Sequence, residues 1–224
     1  MKIGIFTSFQ NNKIVKQAIE SCKSLGVDYE VVDIINENWL DNVRNSDCDG
    51  FFCPSNCISQ ELKTIQDERY YFVSQVMKRP IYPDFNGLYI HENKRNMAAW
   101  LELNNYAHAK TKVFTNIKNA INYLSDCEYP IVTKANVGAS ASKVRIVKNK
   151  RKAIRMAKKC LPKKFIFRLL LLGLFYKTKV GFLNLPDLHK PQKDYFIVQD
   201  FVKDILWEWR ILKIGDSYFG HQKL

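Results

Sequence analysis

Over the first ninety residues, short apolar runs alternate with stretches whose apolar positions recur every three or four residues. Lys2 to Thr7 is a short apolar run. Ile14, Val15, Ala18, Ile19, Cys22 and Leu25 then form one helical stripe, with Gly26 placed to end it. Tyr29 to Ile34 and Gly50 to Cys53 read as strands and Glu61 to Lys78 as a second long helix. The order strand, helix, strand, strand, helix predicts a small open α/β layer.

Pro80, Pro83, Asn86 and Gly87 cluster between Arg79 and Gly87 and mark the expected boundary between residues 1–90 and 91–224. Beyond it the pattern predicts a helix over Lys94 to Asn104, a strand over Lys110 to Phe114 and a helix over Asn116 to Leu124. Tyr129 to Lys134 and Lys143 to Val147 read as strands flanking a turn of small residues, Val137 to Ser142. A basic helix follows to about Cys160, then a poorly patterned stretch to Lys193. Three strands close the chain: Tyr195 to Val202, Glu208 to Ile214 and Ser217 to Gln222.

The 224 residues are 46% hydrophobic, 25% charged and 13% aromatic, which excludes a disordered tail and predicts a packed core. The net charge of +13 is unevenly placed. Residues 1–90 hold nine basic and twelve acidic residues, whereas Lys143 to Lys193 holds sixteen basic residues against the single acid Asp187. Such a density attracts phosphate, acidic substrates, nucleic acid or an anionic membrane face; its bland reading is a solvated helix face. The most apolar window, Phe165 to Tyr176, is interrupted by Arg168 and Gly173 and is too short to span a bilayer. The N-terminus runs straight into a strand without a signal-peptide pattern, so a cytoplasmic protein is expected. In that compartment the six cysteines read as reduced thiols. Cys48, Cys53 and Cys57 have neither the spacing nor the fourth ligand of a zinc site, so no metal is assigned to them.

Two strands joined by a turn of glycine, alanine and serine, with Lys134 ending the first, make a hairpin suited to phosphate. Small side chains let backbone N–H groups approach an anion, and the ammonium adds a point charge. It is not a Walker A loop, because lysine precedes glycine and a strand follows.

Several other segments stand in a telling order with this hairpin: Asn93-Lys94 at a helix start, Val198-Gln199-Asp200-Phe201-Val202, and Glu208-Trp209-Arg210 leading to Gly215-Asp216. Together with Tyr129 to Lys134 and Val137 to Val144, the set resembles the ATP-grasp family, most strongly from Asn93 onward. The loop is most similar to a branch associated with cell-surface polysaccharide pathways. The resemblance implies a Rossmann-like (pre-ATP-grasp) layer over 1–90 and a partial ATP-grasp domain over 91–224. The lid lobe would cover about 110–193 and the start of the ATP-binding lobe 194–224.

By the same resemblance, Lys94 and Lys134 hold the α- and β-phosphates of ATP, with Gly138, Ser140 and Ser142 in the covering loop. Gln199, Asp200, Phe201 and Val202 line the adenine edge, Glu208 lies on the nucleotide side, and Arg210 is the catalytic residue that helps hold the acyl phosphate. Asn93 stands where the family has aspartate. The family's magnesium ligands lie beyond the strand matching Ser217 to Lys223, so the resemblance implies a chain without them and with very slow phosphoryl transfer. The implied chemistry is ATP-dependent carboxylate ligation through an acyl phosphate, with an acidic small molecule or carrier as partner.

A remnant that binds nucleotide or a partner without catalysis is one alternative. A basic nucleic-acid-binding module is another, disfavoured because Phe165, Phe167, Phe175 and Tyr176 sit in an apolar run and do not alternate with Lys or Arg. Peripheral membrane contact through Phe165 to Phe182, apolar with basic flanks, is the third. Trp207 and Trp209, two apart, are expected to share a strand face packed on the sheet, and His221 to lie at the surface.

Overall fold

The computed structural model describes residues 1–8, 13–54, 59–137, 143–161 and 195–223. Three sheets carry the described chain. The first is parallel, in the order β2-β1-β3-β4, with β1 at Lys2–Thr7, β2 at Asp28–Asp33, β3 at Gly50–Phe52 and β4 at Ile81–Tyr82. β1 is central, so its apolar run is buried: Ile5 and Phe6 are fully inaccessible. Phe6 stacks on Phe51 at 4.7 Å between ring centroids, and Val32, Ile34, Val43, Tyr70, Val73 and Leu88 complete this core.

Gly4 is required beneath that stack. A Cβ at this position would lie 2.2 Å from the Phe51 ring, closer than packed atoms tolerate. Gly26 is the other informative glycine, because it takes φ +63° where α1 (Lys13–Ser24) ends, as the helical stripe predicts.

The second long helix is split. α3 (Gln60–Tyr71), capped by the Ser59 hydroxyl accepting from the Leu62 N–H, passes into a π-helical turn at Phe72–Val76. Three elements go beyond the sequence expectation. α2 (Trp39–Asn45) buries only Val43, and β4 is two residues long. α4 (Phe85–Ile90) starts at Asp84, whose carboxylate accepts from the Gly87 N–H at 3.1 Å. β4 and α4 both lie in the proline- and glycine-containing segment where the pattern shows a break. Arg79 secures its start by donating to the carbonyls of Ser46 and Cys48 and by lying 5.1 Å from the Phe51 ring.

α5 (Lys94–Leu103) leads to the second sheet, which is antiparallel in the order β5-β8-β6-β7. Its strands are β5 (Thr111–Phe114), β6 (Ile131–Lys134), β7 (Val144–Val147) and β8 (Phe196–Asp200). α6 (Ile117–Asp126) and α7 (Lys150–Cys160) pack together over one face. Ala120, Leu124, Ala153 and Ala157 bury there against Ile131, Val147, Phe196 and Val198. The pairs of alanine and leucine four residues apart put one apolar stripe of each helix on the sheet.

β9 (Glu208–Ile214) and β10 (Ser217–Lys223) form a hairpin, turned by Gly215 at φ +57°. The hairpin corrects one expectation. Trp207 precedes β9, Trp209 lies within it, and both are exposed; their rings meet edge to face at 5.6 Å rather than packing on a sheet. His221 is exposed and lies opposite Arg210. The poorly patterned stretch, from residue 162 on, lies outside the described residues. Among those described, no helix is long and apolar enough to cross a membrane.

Candidate functional site

Lys134 ends β6, and Lys94 begins α5. Antiparallel pairing on both sides fixes β6, with Lys134 opposite Val144 of β7 and Ile197 of β8. The Lys134 ammonium is half-buried. Loss of water lowers its pKa below the ordinary lysine value, and the Lys94 charge lowers it further. The two cations predicted to share a ligand are thus near enough to repel each other. Lys94 reaches Glu92 at 3.3 Å, with both side chains largely covered. A groove of about 570 Å³ opens beside Lys94, lined by His91, Glu92, Met97 and Trp100 among others.

Asn93 caps α5: its side-chain oxygen accepts from the Asn96 N–H at 3.2 Å. Asparagine caps as well as aspartate does, so the change of residue leaves the helix start intact. Asn136 supplies what one cap cannot. Its backbone carbonyl accepts from the Lys94 N–H at 3.2 Å, and its side-chain oxygen accepts from the Arg95 N–H at 2.9 Å. Its amide nitrogen donates to Gln60 Oε1 at 2.8 Å, and its backbone N–H donates to the Tyr195 hydroxyl at 3.0 Å. This fully buried residue therefore joins the starts of α3 and α5 to the residue before β8. It sits two positions after Lys134 and just before the small-residue loop.

Arg95 completes the constellation. Its guanidinium lies 4.7 Å from the Tyr195 ring centroid, and its buried Nε–H has no acceptor among the described residues. Burial pushes the Tyr195 phenol up to about 12, the bond from the Asn136 N–H and the Arg95 charge opposing that shift, so the hydroxyl stays protonated at neutral pH. Sequence reasoning missed Asn136, Arg95 and Tyr195. Only the position of Asn136, between the strand-end lysine and the glycine loop, could have signalled it.

The predicted loop residues Gly138, Ser140 and Ser142 lie outside the described residues. Gln199 is tied into the sheet, its side-chain nitrogen donating to Thr111 Oγ1 at 2.8 Å and to the Ala109 carbonyl at 3.3 Å. The Asp200 N–H donates to the Lys110 carbonyl at 3.0 Å, and the ladder ends there. Phe201 and Val202 continue past it. Glu208 and Arg210 occupy alternate, exposed positions of β9, opposite Lys223 and His221. Lys94 thus lies near enough to Lys134 to act on its charge, whereas among the described residues the hairpin bearing Glu208 and Arg210 packs chiefly on itself.

Among the described residues, no cluster of metal ligands stands beside the lysines. Among the described residues, one group alone presents three His, Cys, Asp or Glu ligand atoms together: Glu30, Asp47 and Cys48, at the start of the first sheet. Lys2 already pairs with both of its carboxylates. The described residues do not fit magnesium. Cys48 and Cys53 are buried free thiols, and burial raises the pKa of each. Cys57 lies outside the described residues.

No family model matches the chain, and no curated protein matches it. Solved structures do. Phosphoribosylamine–glycine ligase from Thermotoga maritima is similar over 98% of this chain and 49% of its own, with a TM-score of 0.58 and 11% identity. An ATP-grasp RimK domain protein from Sphaerobacter thermophilus is similar over 90% of this chain and 64% of its own, at TM-score 0.51 and 11% identity. Carboxyaminoimidazole ribonucleotide synthase from Aspergillus clavatus, solved with ATP, is similar over 98% and 52%, at TM-score 0.51 and 13% identity. The chain spans between half and two thirds of the length of these structures, and what it shares with them is the ATP-grasp fold.

Proposed function

We propose that this chain binds ATP, with the phosphates held between Lys94 and Lys134. One observation carries this reading: the half-buried Lys134 ammonium at a strand end is disfavoured by burial and then by the Lys94 charge, a cost that a bound polyanion would reverse. Gly138, Ser140 and Ser142 would add backbone and hydroxyl donors over the phosphates. The backbone of Phe201 and Val202, beyond the end of the ladder, would meet the adenine edge beside Gln199 and Asp200. Glu208 would face the ribose. A neighbour solved with ATP supports the choice of nucleotide.

For the whole protein we propose ATP-dependent carboxylate ligation. A substrate carboxylate oxygen attacks the γ-phosphorus and ADP leaves; an amine or thiol then attacks the acyl carbon and inorganic phosphate leaves. Arg210 would hold the acyl phosphate. The substrate would be an acidic small molecule or carrier, in a cytoplasmic step of cell-surface polysaccharide synthesis.

Calorimetric titration with ATP tests the site. Lys134→Ala should weaken binding by about tenfold or more, the scale of one charge-assisted contact. Equal affinities, or no binding by the parent chain at low salt, would overturn the assignment.

A further inference from the structure

Among the described residues, Arg95 Nε is the one buried side-chain nitrogen or oxygen without a hydrogen-bond partner. No carboxylate of those residues pairs with its guanidinium either. Two other stacked arginines show the contrast. Arg69 lies over Trp39 and donates to the carbonyls of Ile34 and Asn36; Arg79 lies over Phe51 and donates to those of Ser46 and Cys48. Arg95 has its stack on Tyr195 and no such acceptor. Arginine keeps its proton at every working pH, so neutralisation offers no relief. A water molecule would satisfy an N–H and leave the charge unbalanced. An anion on the outer guanidinium nitrogens would offset both costs, and the residue is only partly buried, so these remain within reach.

The stack also places this charge. The Tyr195 hydroxyl accepts from the Asn136 N–H, two positions beyond Lys134, and Tyr195 is buried outside the core beneath α6 and α7. Ile131 belongs to that core, so Lys134, three residues on in the same strand, lies on the opposite face. The Arg95 guanidinium is thus held at the end of β6 that carries Lys134. Glu92 pairs with Lys94, which leaves Arg95 and Lys134 as the cations here without an acid among the described residues. We propose that Arg95 is a third phosphate-binding residue, contacting the phosphate chain that Lys94 and Lys134 hold; this rests on the nucleotide reading above. Two unbalanced cations suit a polyphosphate, since a carboxylate carries a single charge and would leave one of them unmet.

Calorimetric titration of the full chain with inorganic tripolyphosphate and with ATP, at about 0.15 M salt, tests this. Arg95→Gln should weaken the binding of each by about tenfold or more, the scale of one charge-assisted contact. Arg95→Lys should lose less, because it keeps the charge and gives up only the planar fork. Affinity should also fall less steeply with salt in Arg95→Gln than in the parent, since one fewer cation meets the phosphates. Equal tripolyphosphate affinities in parent and Arg95→Gln, or no binding by the parent, would overturn the proposal. So would an Arg95→Lys variant as weak as Arg95→Gln with an unchanged salt slope, which would make Arg95 a structural partner of Tyr195 alone. Succinate binding that depends on Arg95, with tripolyphosphate unaffected, would assign the guanidinium to a carboxylate instead. Tripolyphosphate binding that depends on Arg95 in a chain that does not bind ATP would remove the nucleotide and keep the phosphate site, so the two readings fail separately.

Discussion

Asn136 donates its backbone N–H to the Tyr195 hydroxyl at 3.0 Å, fastening the end of one central strand to the start of another across 59 residues of sequence. Both residues are buried, and neither belongs to a regular element. The bond matters because the same Asn136 caps α5 through the Lys94 and Arg95 N–H groups. The spacing of the two phosphate-binding candidates is therefore set by one residue that carries no charge.

Asn136→Ala keeps the backbone bonds but leaves the part-buried Arg95 backbone N–H without its acceptor and removes the donor to Gln60 Oε1. The expected loss is about 1–3 kcal/mol, the scale of one unsatisfied buried donor. Denaturant unfolding reads it, and ATP titration of the same variant should show weakened binding because the start of α5 is no longer held against the end of β6. Unchanged stability and affinity would show that Asn136 is incidental.

Gly4→Ala tests the packing of the first sheet. The added methyl meets the Phe51 ring, which cannot swing away because Phe6 stacks on one side of it and the Arg79 guanidinium approaches it as well. Overpacking of this kind costs about 1–3 kcal/mol. A shift of the urea midpoint within experimental error would mean that the ring relocates freely.

Lys63 is buried in α3, bridging to the Asp67 carboxylate and donating to the Leu88 carbonyl at 3.2 Å. Burial pushes the Asp67 carboxyl above the usual range even with this partner. Lys63→Ala should cost about 3–5 kcal/mol at neutral pH, because an uncompensated carboxylate is left behind. The folded state then favours protonated Asp67, so the deficit should shrink as pH falls toward the unfolded carboxyl value of about 3.9. A pH-independent deficit would point to lost packing alone.

How much of this was legible depended on element length and on distance in sequence. The stripe from Ile14 to Leu25 with Gly26, and the alternation around Lys134, report local periodicity, and these elements stand where the pattern puts them. α2, α4 and β4, at seven, six and two residues, are too short for a period to declare itself. Lys94 and Lys134 could be picked out by residue type and order. Asn136 could not, since it bonds to Gln60, Lys94, Arg95 and Tyr195, and only the folded chain brings these together. Trp207 and Trp209 misled because residues two apart share a face only inside a strand, and Trp207 lies outside one.

Lys134 gives the nucleotide site a pH signature. Its pKa lies below the ordinary lysine value because burial, and then the Lys94 charge, disfavour the ammonium. A bound triphosphate favours that ammonium and raises the pKa, so nucleotide binding should take up a proton once the pH is high enough to deprotonate Lys134 in the free protein. Affinity for ATP should therefore decline as the pH rises from about 7 toward about 10, near the free-lysine value. Lys134→Arg keeps its charge throughout this range and should flatten the decline, although the bulkier guanidinium weakens binding at neutral pH. Calorimetry in buffers of different ionisation enthalpy counts the proton directly. The same decline in parent and variant, with no proton uptake in either, would remove Lys134 from the phosphate contacts.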